Sequence, residues 1–211
     1  MDITWYGHSC FRLTERSIAT VVTDPFDSDA IGYNPLKLRG DVVTISHDSP
    51  AHNFIDAVRK PEHVLTGPGE YEIGGVFITA VPTHSRKKNG KRNVIYVFDY
   101  DGITVAHLGD LDRTLKQTEV DALGTVNIAL VPVGGGGGLN AAKASEVISM
   151  LEPGIVVPMH YKTKDSHVSL DPLSKFLKEM GIPEAAPEPV LKVRSTSIPE
   201  ETQVVVLDYA A

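Results

Sequence analysis

The segment Val42-Val43-Thr44-Ile45-Ser46-His47-Asp48-Ser49-Pro50-Ala51-His52 runs from four apolar or β-branched residues directly into a polar stretch that carries two histidines. Four residues are too few for a helix, and Val, Thr and Ile fit the pleated surface of a sheet, so 42–45 is predicted to be a buried strand. It ends at Ser46-His47. A histidine just beyond a buried strand is aimed by a rigid sheet, and layered α/β folds collect ligands at such ends.

The same pattern recurs on both sides. Toward the N-terminus, 3–6, 10–13 and 17–23 read as short strands with turn-prone breaks, which is hairpin material. Toward the C-terminus, Thr66-Gly67-Pro68-Gly69-Glu70 punctuates the chain, and a strand over 76–81 is predicted to stop at Pro82-Thr83-His84. Strands over 94–100 and 103–108 flank Asp101-Gly102, a hairpin turn signal, and the second delivers Gly109-Asp110. Strand and helix then alternate. A strand over 128–131 is followed by a helix over 141–151 capped by Asn140, and a strand over 155–157 ends at Pro158-Met159-His160. A helix over 172–180, closed by Gly181 and Pro183, a proline-rich connection over 183–189 and a strand over 203–207 complete an α/β pattern.

With 211 residues, 42% hydrophobic and 22% charged, the chain is expected to form one domain spanning 1–211 with a substantial core. No stretch approaches the length of a bilayer span, and Met1-Asp2-Ile3-Thr4-Trp5-Tyr6 lacks a basic start followed by an apolar run, so a cytoplasmic location without a membrane partner is expected. Cys10 is the only cysteine, which excludes an internal disulfide framework and a multi-cysteine metal cluster. Any metal must be held by His, Asp and Glu. The net charge of -7 argues against nucleic acid as a partner. One local exception is the run Arg86, Lys87, Lys88, Lys91 and Arg92, which is either a solvated loop or a contact for an anionic substrate beside His84.

Four predicted strand ends thus carry His47, His84, Asp110 and His160. Imidazole nitrogen and carboxylate oxygen are donors that zinc, manganese and iron accept. The ordered set Gly7-His8-Ser9, Thr23-Asp24-Pro25, Ser46-His47 through His52-Asn53, His84, Leu108-Gly109-Asp110 and Pro158-Met159-His160 resembles the metallo-β-lactamase superfamily, over nearly the whole chain from Trp5 to about Thr163. More narrowly it resembles the metal-dependent hydrolases that include ascorbate-phosphate lactonase-like proteins. The resemblance implies a four-layer αβ/βα sandwich with a metal pocket at one edge of two sheets. It also implies that His47 and His84 serve one half of the site, His52 and His160 the other, and that Asp110 bridges them.

The family's His-x-His-x-Asp-His signature is degenerate here. Ser49 stands at the second histidine and Ala51 at the aspartate. The surviving donors suit one ion rather than two, with zinc expected first and manganese or iron as alternatives, and Asp48, His8 or solvent as the groups that could complete a second sphere. Asp110 and His8 are the candidate catalytic residues. His8 is either a pocket residue or a hydrogen-bonded structural histidine. Asp24 is either a partner that orients a ligand histidine or a turn former. Cys10 reads as a small buried hydrophobe. The run Gly134–Gly138 lacks the ending of a P-loop and is expected at the pocket rim, while His63 and His167 are expected at the surface.

Three functions follow. The first is a metal-dependent hydrolase of a small anionic ester, lactone or phosphoester, with His47, His52, His84, His160 and Asp110 as ligands and water activated at the metal as nucleophile. The second is a non-catalytic protein that binds a small ligand or a partner in the same pocket. The third, a nuclease, rests on the basic run alone. A homo-oligomer is compatible with each.

Overall fold

Alternation in the first strand, β1 (Asp2–Trp5), buries Ile3 and Trp5 and leaves Asp2 and Thr4 half-buried, so one face is committed to the interior. In the computed structural model, which describes residues 1–85 and 92–210, β1 pairs antiparallel with β2 (Phe11–Glu15), and β2 with β3 (Ile18–Thr23). The chain then joins β4 (Val42–Thr44) and β5 (His63–Leu65) to β3 in parallel. This sheet is completed by β12 (Leu191–Lys192) on the far side of β1.

The second sheet begins with antiparallel β6 (Gly69–Ile73), β7 (Val76–His84), β8 (Arg92–Tyr100) and β9 (Ile103–His107). It continues in parallel through β10 (Ile128–Pro132), β11 (Ile155–Met159) and β13 (Gln203–Val204). Every residue of β10 and β11 is buried, as expected for strands covered on both faces. The helices are α1 (Ser28–Ile31), α2 (Gln117–Leu123), α3 (Ala141–Leu151) and α4 (Leu173–Glu179). Ala144, Val147, Ile148 and Leu151 recur at helical spacing on α3 and give it one buried face, and α3 packs on β10 and α4. Asn140 caps it, its Oδ1 accepting the Lys143 amide at 3.0 Å.

Two sheets with flanking helices form the α/β sandwich. One hydrophobic core draws on both sheets, including Trp5, Leu13 and Val21 from the first and Tyr96, Phe98 and Leu130 from the second. Two buried tyrosines of β8 tie the sheets together. The Tyr96 hydroxyl is shared between the carbonyls of Ile45 (3.1 Å) and Leu65 (3.0 Å), and the Tyr100 hydroxyl donates to Ala19 (3.1 Å). Burial pushes both phenols well above their ordinary range, so they remain donors.

Two predicted strands end three residues away from their expected ends. Strand β7 continues through Pro82 to His84. Its partner β6 pairs only as far as Ala80, so the missing N–H of Pro82 lies beyond the sheet's edge and breaks no ladder bond. The last strand stops at Val204 rather than running to 207.

Candidate metal centre

Four strand ends and one turn deliver the candidate residues. His8 lies in the turn between β1 and β2, Asp24 follows β3, His47 and His52 follow β4, Asp110 follows β9 and His160 follows β11. His8, Asp24 and His160 have φ of 50°, 41° and 52°, in the left-handed region that side chains with a Cβ rarely adopt. Backbone bonds hold them there. The His8 carbonyl accepts from the His160 amide (3.0 Å) and from the Trp5 indole (3.1 Å), and the Asp24 amide donates to Thr44 (2.8 Å).

The side chains meet in a buried cluster. His8, His47, His52 and His160 are all buried, with ring centroids 4.2 Å apart for His8 and His160, 4.9 Å for His8 and His52, and 4.1 Å for His47 and His52. One donor atom from each of His8, His52 and His160 falls within 4.8 Å of the others, and so does one from each of His47, His52 and Asp110. Asp110 spans the cluster. Its Oδ2 is 3.7 Å from His47 Nε2 and its Oδ1 is 3.8 Å from His160 Nε2. Those separations exceed a hydrogen bond and approach the ~3.3 Å between neighbouring ligand atoms of a tetrahedral zinc with bonds of about 2.0–2.1 Å.

Surrounding groups fix these donors. Asp24 Oδ2 lies 2.8 Å from His52 Nδ1, and its Oδ1 accepts the Ser46 amide at 2.7 Å. The Ser46 hydroxyl donates to Asp24 Oδ2 at 2.5 Å and lies 3.2 Å from His47 Nδ1. Of its two sequence readings, Asp24 takes the one in which a carboxylate orients a candidate ligand histidine through its Nδ1. Burial raises the Asp24 carboxyl, against the opposing pull of His107, Ser46 and His47. Asn93 holds the Asp110 loop: its Oδ1 accepts the Asp110 amide (2.9 Å), and its Nδ2 donates to the Leu108 carbonyl (3.0 Å). The glycine run borders the carboxylate, since a Cβ on Gly138 would lie 2.8 Å from Asp110 Oδ1 and 3.4 Å from His160 Nδ1.

Other sequence candidates lie elsewhere. His84 is exposed at the end of β7 and belongs to neither group of converging donors among the described residues, although Arg113 Nε donates to its carbonyl at 2.8 Å. Asp48 is exposed, and its Oδ1 accepts from Asn53 Nδ2 at 2.5 Å. Cys10 is fully buried and its thiol is pushed up by burial, which suits a packing role. His63 and His167 are exposed. Of the basic run, Arg86, Lys87, Lys88 and Lys91 lie outside the described residues, and Arg92 is exposed. Sequence reasoning missed His107, fully buried on β9 with Nε2 2.9 Å from the Ser9 carbonyl; a histidine inside a strand rather than at its end gives no pattern to read.

The donor set suits a metal ion on structural grounds. Both ring nitrogens of His8 are buried without a hydrogen-bond partner among the described residues, a costly state for a polar side chain unless it meets a ligand. Burial, followed by repulsion from His160, His52 and His47, lowers its pKa well below the ordinary value, so the imidazole is the neutral form that coordinates metals.

Comparison with known proteins agrees. A family model described as the beta-lactamase superfamily domain matches residues 2–160. A Thermotoga maritima protein of solved structure, named as a candidate Zn-dependent hydrolase of the metallo-beta-lactamase superfamily, is similar with 37% identity and a TM-score of 0.79, covering 98% of this chain and 97% of that one. A metal-dependent hydrolase of Thermococcus onnurineus is 28% identical over 86% of this chain and 92% of its own. One of Thermoplasma acidophilum is 26% identical over 78% and 85%.

Proposed function

Since the chain belongs to the beta-lactamase superfamily, we propose that it is a metal-dependent hydrolase of a small anionic ester, lactone or phosphoester. The observation that carries this reading is the convergence of buried His47, His52 and His160 and half-buried Asp110 from the ends of three strands on one locus. The proposed ion is zinc, with manganese or iron as alternatives, and one ion rather than two. Bound there, it supplies Lewis acidity, which eases deprotonation of water and polarises a substrate oxygen.

The protein's own residues supply orientation and proton handling. Asp24 holds His52 by its Nδ1, and Ser46 braces both Asp24 and His47, so the imidazoles meet the ion without reorganising. Asp110 is assigned to receive the proton that water loses as its oxygen bonds to the acyl carbon or phosphorus. The bond to the leaving oxygen breaks, and that oxygen takes up a proton. An anionic substrate is supported by the sequence position of the basic run beginning two residues after His84.

Metal analysis after incubation with zinc, manganese or iron tests the reading. About one ion per chain, together with chelator-sensitive hydrolysis across a panel of lactones and phosphoesters, is expected. A chain that stays metal-free with all three overturns it. Ser49 and Ala51 favour a second reading, a binding protein without catalysis. On that reading the double change Ser49→His and Ala51→Asp creates hydrolysis that the natural chain lacks; no gain counts against it.

A further inference from the structure

We propose that His8 takes the ligand position that Ala51 leaves empty of a carboxylate, so that the ion is held by the three imidazoles of His8, His52 and His160. This rests on the metal-dependent reading above and names the atoms of its primary sphere. Ala51 offers no donor, and Asp48, three residues before it, is turned outward onto Asn53. Its place is filled from a different part of the chain. The His8 ring packs against His160 and His52, with centroids 4.2 and 4.9 Å away, and one nitrogen of each lies within 4.8 Å of the others.

Three features of His8 point to a ligand rather than a packing residue. Neither of its ring nitrogens has a hydrogen-bond partner among the described residues, although the side chain is only 2% exposed. Its backbone is held at φ 50°, next to Gly7 at φ 103°, a conformation with a cost that a packing role would not require. Its carbonyl is clamped by the amide of His160, another member of the trio, so the two rings are fixed relative to each other. Asp110 falls in the other group of converging donors, with His47 and His52, and its carboxylate is assigned to proton transfer rather than to the trio. An all-nitrogen set favours zinc, cobalt or nickel over manganese or magnesium.

The test uses the full chain loaded with zinc and measures metal, not activity. X-ray absorption of the wild-type protein is expected to count three imidazoles in the zinc sphere; two imidazoles and a carboxylate would overturn the proposal. His8→Ala is expected to weaken zinc about tenfold or more in a chelator competition, while His63→Ala, at an exposed histidine outside the cluster, retains wild-type affinity. Should His8→Ala fail to fold, His8→Asn, which tolerates positive φ, carries the same expectation, and the wild-type absorption count stands independently. Wild-type affinity in both His8 variants overturns the assignment of His8 but leaves the hydrolase reading standing. A wild-type chain that binds no zinc, manganese or iron overturns the hydrolase reading itself.

Discussion

Asp24 Oδ2 stands 2.8 Å from His52 Nδ1, with both side chains almost wholly removed from solvent. A buried carboxylate costs free energy unless it is bonded, and here its partners are Ser46 and the one histidine common to both groups of converging donors. Asp24→Asn is therefore predicted to lower metal affinity about 10–100-fold. Chelator competition measures this, and unchanged affinity would show that Asp24 merely forms a turn.

Gly138→Ala probes the other wall. The new methyl would sit 2.8 Å from Asp110 Oδ1, so the carboxylate must move. The methyl would also sit 3.4 Å from His160 Nδ1, so we expect metal binding to weaken while the unfolding temperature stays within a few degrees, roughly the effect of ≤ 1 kcal/mol. Intact binding with a lowered melting point would argue that the glycine serves the loop alone.

Asn93 anchors the loop that carries Asp110. Asn93→Leu leaves the Asp110 amide and the Leu108 carbonyl without their bonds to its side chain, at a predicted cost of about 2–3 kcal/mol in denaturant unfolding. A loss below about 0.5 kcal/mol would show that the loop holds itself.

Acid should destabilise the metal-free protein. Burial lowers the folded-state pKa of both His8 and His107, so the folded state keeps them neutral while the unfolded chain takes up protons as pH falls below about 6.5. Their contribution is fully present above that pH and is lost as pH falls toward the folded values, at up to about 1.4 kcal/mol per pH unit for each histidine. Thermal unfolding between pH 8 and pH 5 checks the sign; a stability that rises on acidification contradicts it.

Much of this organisation was legible in the chain. Helix α3 and the strands that lead to His47, Asp110 and His160 follow from apolar runs ended by polar residues. His84 shows where that logic stops. It satisfies the same strand-end rule, yet β7 runs on through Pro82 and leaves it exposed, because pairing with β8 rather than local composition sets where the strand ends. Strand β6 was hidden by Gly69, and α2 by a run with little apolar periodicity. The meeting of His8 with His160, 152 residues later, depends on a backbone bond between sheets that no local pattern encodes.

The most direct test is anomalous diffraction at the zinc edge from crystals of the zinc-soaked protein. A single strong peak about 2.0–2.1 Å from nitrogens of His8, His52 and His160 is expected. A peak beside His84, or none within the histidine cluster, would contradict it.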